Sequence, residues 1–236
     1  MFSRLLVPLS LVASLSCVGS SGGKKEEEEG DDSAADTAED LPPAGDAVLL
    51  YIGNGGGAYD ISAESLLALY EDAGVAAEIS DKVPTDLADR YGTILLLSPT
   101  SGFPDAAPAR ELLQRGGTVL VAVEHGGYGD WAGATTWLGE IGSSMEALGG
   151  STGGTVDLAI TSVGSATKGV SSLLIFYYGD IDVGDGVALG TREDDEPGIG
   201  WEEVGAGQVI LVPDGSMFGY SLDQADNRRF LKNLAP

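Results

Sequence analysis

The chain has 236 residues, with 12 Lys and Arg against 37 Asp and Glu, one histidine and one cysteine, and a formal net charge of −25 at pH 7. That length suits a single domain once a leader and a linker are set aside. The charge argues against nucleic-acid binding, because phosphate contacts need clustered Lys and Arg; it also disfavours adsorption to anionic lipid, and a lone cysteine excludes an intrachain disulfide.

Residues 1–17 read as an export signal. Arg4 supplies the positive start, and Leu5 to Ser16 form an apolar run too short to span a bilayer as a mature helix. Ser16 sits before Cys17, as in bacterial lipoprotein signals, where the cysteine is lipidated and becomes the new N-terminus. Such signals usually carry Leu three residues before the cysteine. Ser14 holds that place here, and Leu15 follows it. Lipidation of Cys17 is the expectation, with an ordinary secretory signal cut elsewhere as the alternative. Several acyl chains, at about 0.8 kcal/mol per buried CH₂, would hold the protein stably on a membrane. Val18 is unlike the usual inner-membrane retention signal, so the expected address is the outer membrane, facing the periplasm or the exterior.

Residues 18–45 are dominated by Gly, Ser, Ala, Asp and Glu, lack aromatic residues and include the charge block Lys24 to Glu29. Such a stretch buries too little apolar surface to offset its ordering entropy, so it reads as an acidic disordered tether. Its reach is on the order of 30 Å. Residues 46–236 then form the folded domain, large enough to bury roughly 70% of its unfolded surface without a disulfide or a metal.

Within that domain Asp46 to Ile52 is a continuous apolar run and predicts a buried parallel strand. The loop Gly53-Asn54-Gly55-Gly56-Gly57 follows. Ser62 caps a helix over 63–73 that Gly74 stops. A strand is expected over 75–79, a helical turn over 86–90, a strand over 91–98, and a helix over 107–115 with Pro108 in its first turn. Thr118 to Val123 is a further strand, followed by a Gly-rich loop and a helix around 135–148. Beyond Gly149-Gly150, segments such as 156–160 and 173–178 predict a β-rich insertion. Glu202 to Gly207 is a hairpin turn, 208–213 a core strand, and 226–234 a closing helix. Strands alternating with helices predict an α/β fold, a doubly wound three-layer sandwich with a mainly parallel sheet.

The segments Ile94 to Pro99, Leu112 to Val121, Gly205 to Phe218 and Asn227 to Leu231, in that order, resemble the class I glutamine-amidotransferase-like superfamily over residues 46–236. The similarity is to its non-catalytic branch in gliding-motility and ABC-transporter auxiliary proteins. Catalytic members carry a nucleophilic cysteine in Gly-x-Cys-x-Gly after a core strand. The matching place is Val123-Glu124-His125-Gly126-Gly127, where histidine stands for the cysteine. The resemblance therefore implies that amidotransferase chemistry is lost.

The remaining candidates rest on residue chemistry. Asn54, Gly55, Gly56 and Gly57 could cradle an anion at a helix N-terminus, although neither a Walker nor a dinucleotide-binding spacing is present and a flexible turn is the favoured account of the glycines, because glycine runs are mostly backbone devices. Glu124 and His125 lie at a strand's carboxyl end with Asp214 and Ser216 as candidate partners, and Ser98 and Ser101 as further hydroxyls. They suggest weak hydrolytic or metal-assisted chemistry, or an inert polar rim. Asp180, Asp182 and Asp185 form a calcium-like run that departs from the EF-hand order, with 193–196 as additional acids. Tyr128 and Trp131 in the Gly-rich loop are candidates for stacking a sugar or meeting a partner, while Trp137 falls on the helix pattern and is expected in the core. No cofactor motif is present and none is expected. The functional expectation is a lipid-anchored, non-enzymatic binding or scaffold domain of the cell envelope, touching the membrane through its lipid and an envelope protein or glycan through its loops. Transporter or motility service is what the resemblance implies. An envelope hydrolase using His125 with Glu124 or Asp214, and a calcium-dependent adhesion module, are the alternatives.

Overall fold

The computed structural model describes residues 41–236. The export signal 1–17, Cys17 and the tether up to residue 40 lie outside the described residues. The last five tether positions are described. They carry no helix or strand, and the Pro42 and Pro43 carbonyls accept hydrogen bonds from the Arg115 guanidinium. Among the described residues no helix is long and apolar enough to cross a membrane.

The first part of the domain alternates: β1 (Ala47–Tyr51), α1 (Ala63–Asp72), β2 (Ala77–Ser80), α2 (Leu87–Arg90), β3 (Tyr91–Leu97), α3 (Ala107–Gln114), β4 (Thr118–Ala122) and α4 (Trp131–Ile141). Five successive strands follow: β5 (Glu146–Ile160), β6 (Ser172–Asp182), β7 (Val187–Thr191), β8 (Pro197–Val204) and β9 (Gly207–Val212). Helix α5 (Asn227–Asn233) closes the chain. All nine strands share one sheet in the order β2-β1-β3-β4-β9-β8-β7-β5-β6.

Strands β1, β3, β4 and β9 are apolar on both faces, as strands covered on two sides must be. Val48, Leu50, Leu95, Leu97, Leu120, Ile210 and Val212 pack on one side with Leu66, Leu69 and Tyr70 of α1 and with Phe230 and Leu231 of α5. Leu49, Tyr51, Ile94, Leu96, Val119, Val121 and Leu211 pack on the other with Leu87 of α2, Leu112 and Leu113 of α3, and Trp137, Leu138 and Ile141 of α4. The loops at the carboxyl ends of these strands are thereby fixed on a rigid base.

The doubly wound, mainly parallel sandwich expected from the sequence is corrected by this topology. Pairing is parallel at β1–β2, β1–β3, β3–β4 and β4–β9, and antiparallel at β5–β6, β5–β7, β7–β8 and β8–β9. The sheet is thus mixed in equal parts, and the protein is strand-rich with few, short helices. The physical reason lies after α4. The apolar residues of 135–148 look like one helix, but Gly142 takes φ +91° and ends α4 there, so that Glu146 to Leu148 open β5 instead. From that point hairpins replace crossover helices. What reads as an insertion is the second half of the sheet.

Candidate functional site

The loops after β1, β3, β4 and β9 gather at one end of the sheet, together with the middle of β6. Two backbone N–H groups of β6 stitch it to that end: Phe176 N donates to Asp214 Oδ2 at 2.8 Å and Gly179 N to the Pro213 carbonyl at 3.1 Å. The expected pair after β4 is brought together. Glu124, 3% exposed, accepts from His125 N at 3.1 Å through Oε1, which lies 2.5 Å from His125 Nδ1. Its other oxygen, Oε2, is buried without a hydrogen-bond partner. Oε2 lies against Gly215 so closely that a Cβ there would stand 2.2 Å from it, which is why this position after β9 holds a glycine.

Asp214 and Ser216 also reach this end but serve the scaffold. Asp214 is fully buried and accepts from Phe176 N, Ser216 N at 2.8 Å and Ser216 Oγ at 2.6 Å. Burial pushes its carboxyl up to about 6, with the nearby Glu124 charge adding and the three hydrogen bonds opposing. Neighbouring Asn227, also fully buried, donates to the Leu174 and Ser221 carbonyls and accepts from Leu174 N, tying α5 to β6. Ser98 sits after β3 with φ +52° and a buried hydroxyl that has no partner. Ser101 donates to the Asn54 carbonyl.

Above this floor runs a row of rings. Tyr59 lies 4.8 Å from Tyr128 between centroids, Tyr128 5.3 Å from His125, His125 5.0 Å from Tyr177 in a stacked pose, Tyr177 4.5 Å from Phe176, and Phe176 5.4 Å from Tyr220. The two ends approach each other, since Tyr220 N donates to the Asp60 carbonyl at 2.9 Å, next to Tyr59. Tyr59, Tyr128, Tyr177 and Tyr220 are 63, 49, 39 and 61% exposed, and these four are the exposed large aromatic residues among those described. Of the row, only His125 and Tyr128 stand out from the sequence as candidates. The signal for the other tyrosines was adjacency to glycine: Gly57 precedes Tyr59 by two positions, Gly179 follows Tyr177 by two, and Gly219 precedes Tyr220.

The other candidates fall elsewhere. Trp131 is half-buried; its Nε1 donates to the Gly126 carbonyl and its ring lies against Gly179, so it braces the turn beneath Tyr128. Trp137 is buried, with Nε1 donating to the Pro104 carbonyl. The glycine loop after β1 is not at a helix start, because the Ser62 cap of α1 comes five residues after Gly57. Gly56 N donates to the Gly53 carbonyl, Gly57 N to the Leu97 carbonyl, and Asn54 Nδ2 to the Gly102 carbonyl. Asp180 pairs with Arg192 at 3.0 Å, Asp182 accepts from Gly184 N, and Asp185 N donates to Ser144 Oγ, so the three acids have separate surroundings. No group of three or more His, Cys, Asp or Glu among the described residues is placed to hold a metal ion.

A family model described as "Domain of unknown function (DUF4350)" matches residues 63–235. No curated protein sequence matches the chain. Among solved structures, the chain is similar to the mmIFT52 N-terminal domain, at 13% identity and a TM-score of 0.58 over 78% of this chain and 93% of that one. It is similar to the cytoplasmic protein STM1381 from Salmonella typhimurium LT2, at 15% and 0.58 over 80% and 97%. It is also similar to the exo-beta-1,4-mannosidase Op5Man5 from Opitutaceae bacterium strain TAV5, at 15% and 0.52 over 81% of this chain. The chain spans only 35% of the mannosidase's length. Likeness at these identities shows the fold alone.

These findings overturn the amidotransferase-like resemblance, since the family that matches is DUF4350 and nothing in the comparisons gives evidence of an amidotransferase-like domain. The motifs that suggested it are turn chemistry. Gly116, at φ +86°, ends α3, and Gly205, at φ +64°, turns the β8–β9 hairpin. Any strand entered through such a turn carries the same glycines.

Proposed function

Since the chain belongs to the DUF4350 family, whose match carries no activity with it, we propose from the chain's own residues that it is a lipid-anchored, non-enzymatic recognition domain of the cell envelope. The observation that carries this reading is the row of rings from Tyr59 to Tyr220, contributed by separate loops and by β6, and left half-exposed above a fixed floor. Exposed tyrosines offer large contact area with little side-chain entropy to lose, and isolated structural roles do not require them to adjoin. Arg4, the apolar run and Cys17 support export and anchoring. The acidic segment that follows supports a domain held clear of the headgroups. The transporter and motility roles lose their ground with the amidotransferase-like resemblance.

Two measurements test the two halves. Cys17→Ser in the full chain moves the protein from the membrane pellet to the soluble fraction; unchanged sedimentation refutes the anchor. Tyr59→Ala/Tyr220→Ala in the full chain, at unchanged melting temperature, lowers capture by isolated envelope fragments in a sedimentation assay. Equal capture refutes the recognition face.

One contact favours a second reading as an envelope hydrolase, that of Glu124 Oε1 with His125 Nδ1, which orients an imidazole as a general base requires. Among the described residues no serine hydroxyl is hydrogen-bonded to His125, and Asp214 is engaged by Ser216 and Phe176 instead.

A further inference from the structure

We propose that the ring row binds a glycan of neutral or amino sugars, with the unpartnered Oε2 of Glu124 as the acceptor at its foot. The inference rests on the recognition reading and names the ligand class for that same face.

Size comes first. The exposures of Tyr59, Tyr128, Tyr177 and Tyr220 together amount to about two fully exposed tyrosines, roughly 400 Å² at about 200 Å² per ring. A standard protein interface takes about 800 Å² from each partner. The row supplies half of that, and its loops add backbone rather than apolar bulk, being built of Gly53 to Gly57, Gly126, Gly127 and Gly219. A few pyranose rings fit the available area.

Shape and chemistry agree. Successive rings are tilted by 61, 62, 25, 85 and 46°, so the row offers separate ring faces at different angles, not one flat plane. A pyranose presents an apolar C–H face that stacks on such a ring and a rim of hydroxyls that donate to acceptors. The row has phenol oxygens along its length, and beneath it lies a carboxylate oxygen, on a residue only 3% exposed and packed against Gly215, that is bonded to nothing. A buried acceptor without a donor carries a desolvation penalty that a ligand hydroxyl or ammonium relieves.

Charge selects within the sugars. The chain carries −25 overall, and the carboxyl groups of Glu124 and Asp214 lie buried beneath the row. Uronates, phosphates and sulfates are repelled; uncharged sugars and protonated amino sugars are not.

The test uses the full chain, purified in detergent, and envelope fragments immobilised in three forms: untreated, digested with protease, and oxidised with periodate, which cleaves vicinal diols. Binding is expected to survive protease and to be lost after periodate. Tyr59→Ala and Tyr220→Ala, the two most exposed rings, are each expected to weaken binding to the protease-treated fragments by up to about tenfold with unchanged melting temperature. Glu124→Gln weakens it as well. Binding that is lost after protease and survives periodate overturns the glycan and leaves the recognition reading standing, with a protein as partner. Binding indifferent to both tyrosines overturns the inference and the recognition face together.

Discussion

Replacing Asp214 with asparagine tests the electrostatics beneath the row. In the folded protein Asp214 is fully buried, and its carboxyl is pushed from 3.8 up to about 6, chiefly by burial. In the unfolded chain it returns to the ordinary carboxylate range. Between about pH 4 and 6 the folded state therefore holds more of the proton than the unfolded state, and stability falls as pH rises through that window. The gap of roughly 2 on the pH scale corresponds to about 3 kcal/mol of lost stability, absent well below about pH 4 and complete above about pH 7. The amide of the D214N variant cannot titrate. It donates where the carboxylate accepted, so the variant loses a hydrogen bond by an amount that does not vary with pH. Urea unfolding of both proteins at one-unit steps from pH 4 to 8 separates the two effects. The stability difference, wild type minus D214N, should drop by about 2 kcal/mol between pH 4 and 6, by a few tenths more up to about pH 7, and stay level above. Titrations of groups that do not interact with Asp214 cancel in the difference. A difference that is flat, or that rises with pH, would refute the reasoning: it would mean that the bonds from Phe176 and Ser216 hold the charge more strongly than burial disfavours it.

Two further substitutions probe the same floor. Gly215→Ala puts a Cβ 2.2 Å from Glu124 Oε2, forcing the carboxylate off His125; a loss of about 1–3 kcal/mol in denaturant unfolding is expected, and a neutral effect would show that Oε2 moves freely. Asn227→Ala leaves the Leu174 N–H and two carbonyls buried without partners; unfolding should show a loss on the order of 3 kcal/mol, and a loss under about 1 kcal/mol would mean that α5 is not held through this side chain.

The first half of the fold was legible because its strands bury both faces. Val48 to Tyr51, Ile94 to Leu97 and Val119 to Ala122 are apolar throughout and buried, and Ser62 and Gly74 bracket α1 by capping chemistry that acts locally. The second half was not. β5 runs fifteen residues with six glycines or threonines between Gly149 and Thr155, most of them exposed. Over this stretch the ribbon has no buried face to impose a period, and the register of β5 with β6 shifts three times. Nothing in the local sequence says that such a ribbon joins the main sheet beside β7 instead of forming an insertion.

The site divides in the same way. Glu124 and His125 were visible because they end an apolar strand, and strand ends are where α/β sheets place polar groups. The row was invisible because adjacency of rings is a property of topology, not of spacing. Tyr59 and Tyr220 stand 161 positions apart in the numbering and are brought near each other by the bridge between Ile61 and Gly219 and by the Tyr220 N bond to the Asp60 carbonyl, which join the loops after β1 and β9. Tyr177 joins them because β6 is held at this end, by Phe176 N on Asp214 and by Gly179 N on the Pro213 carbonyl. The first of these bonds couples the buried acid to the exposed rings. Asp214 holds the β6 backbone where Phe176 and Tyr177 complete the row, so a change that unseats Asp214 breaks the row at its middle while leaving Tyr59 and Tyr128 in contact. In D214N, capture by envelope fragments should fall further than in Tyr59→Ala, although no ring has been removed. If D214N, still folded at pH 7, captures them as well as the wild type, β6 is positioned by the sheet alone and the acid has no part in recognition.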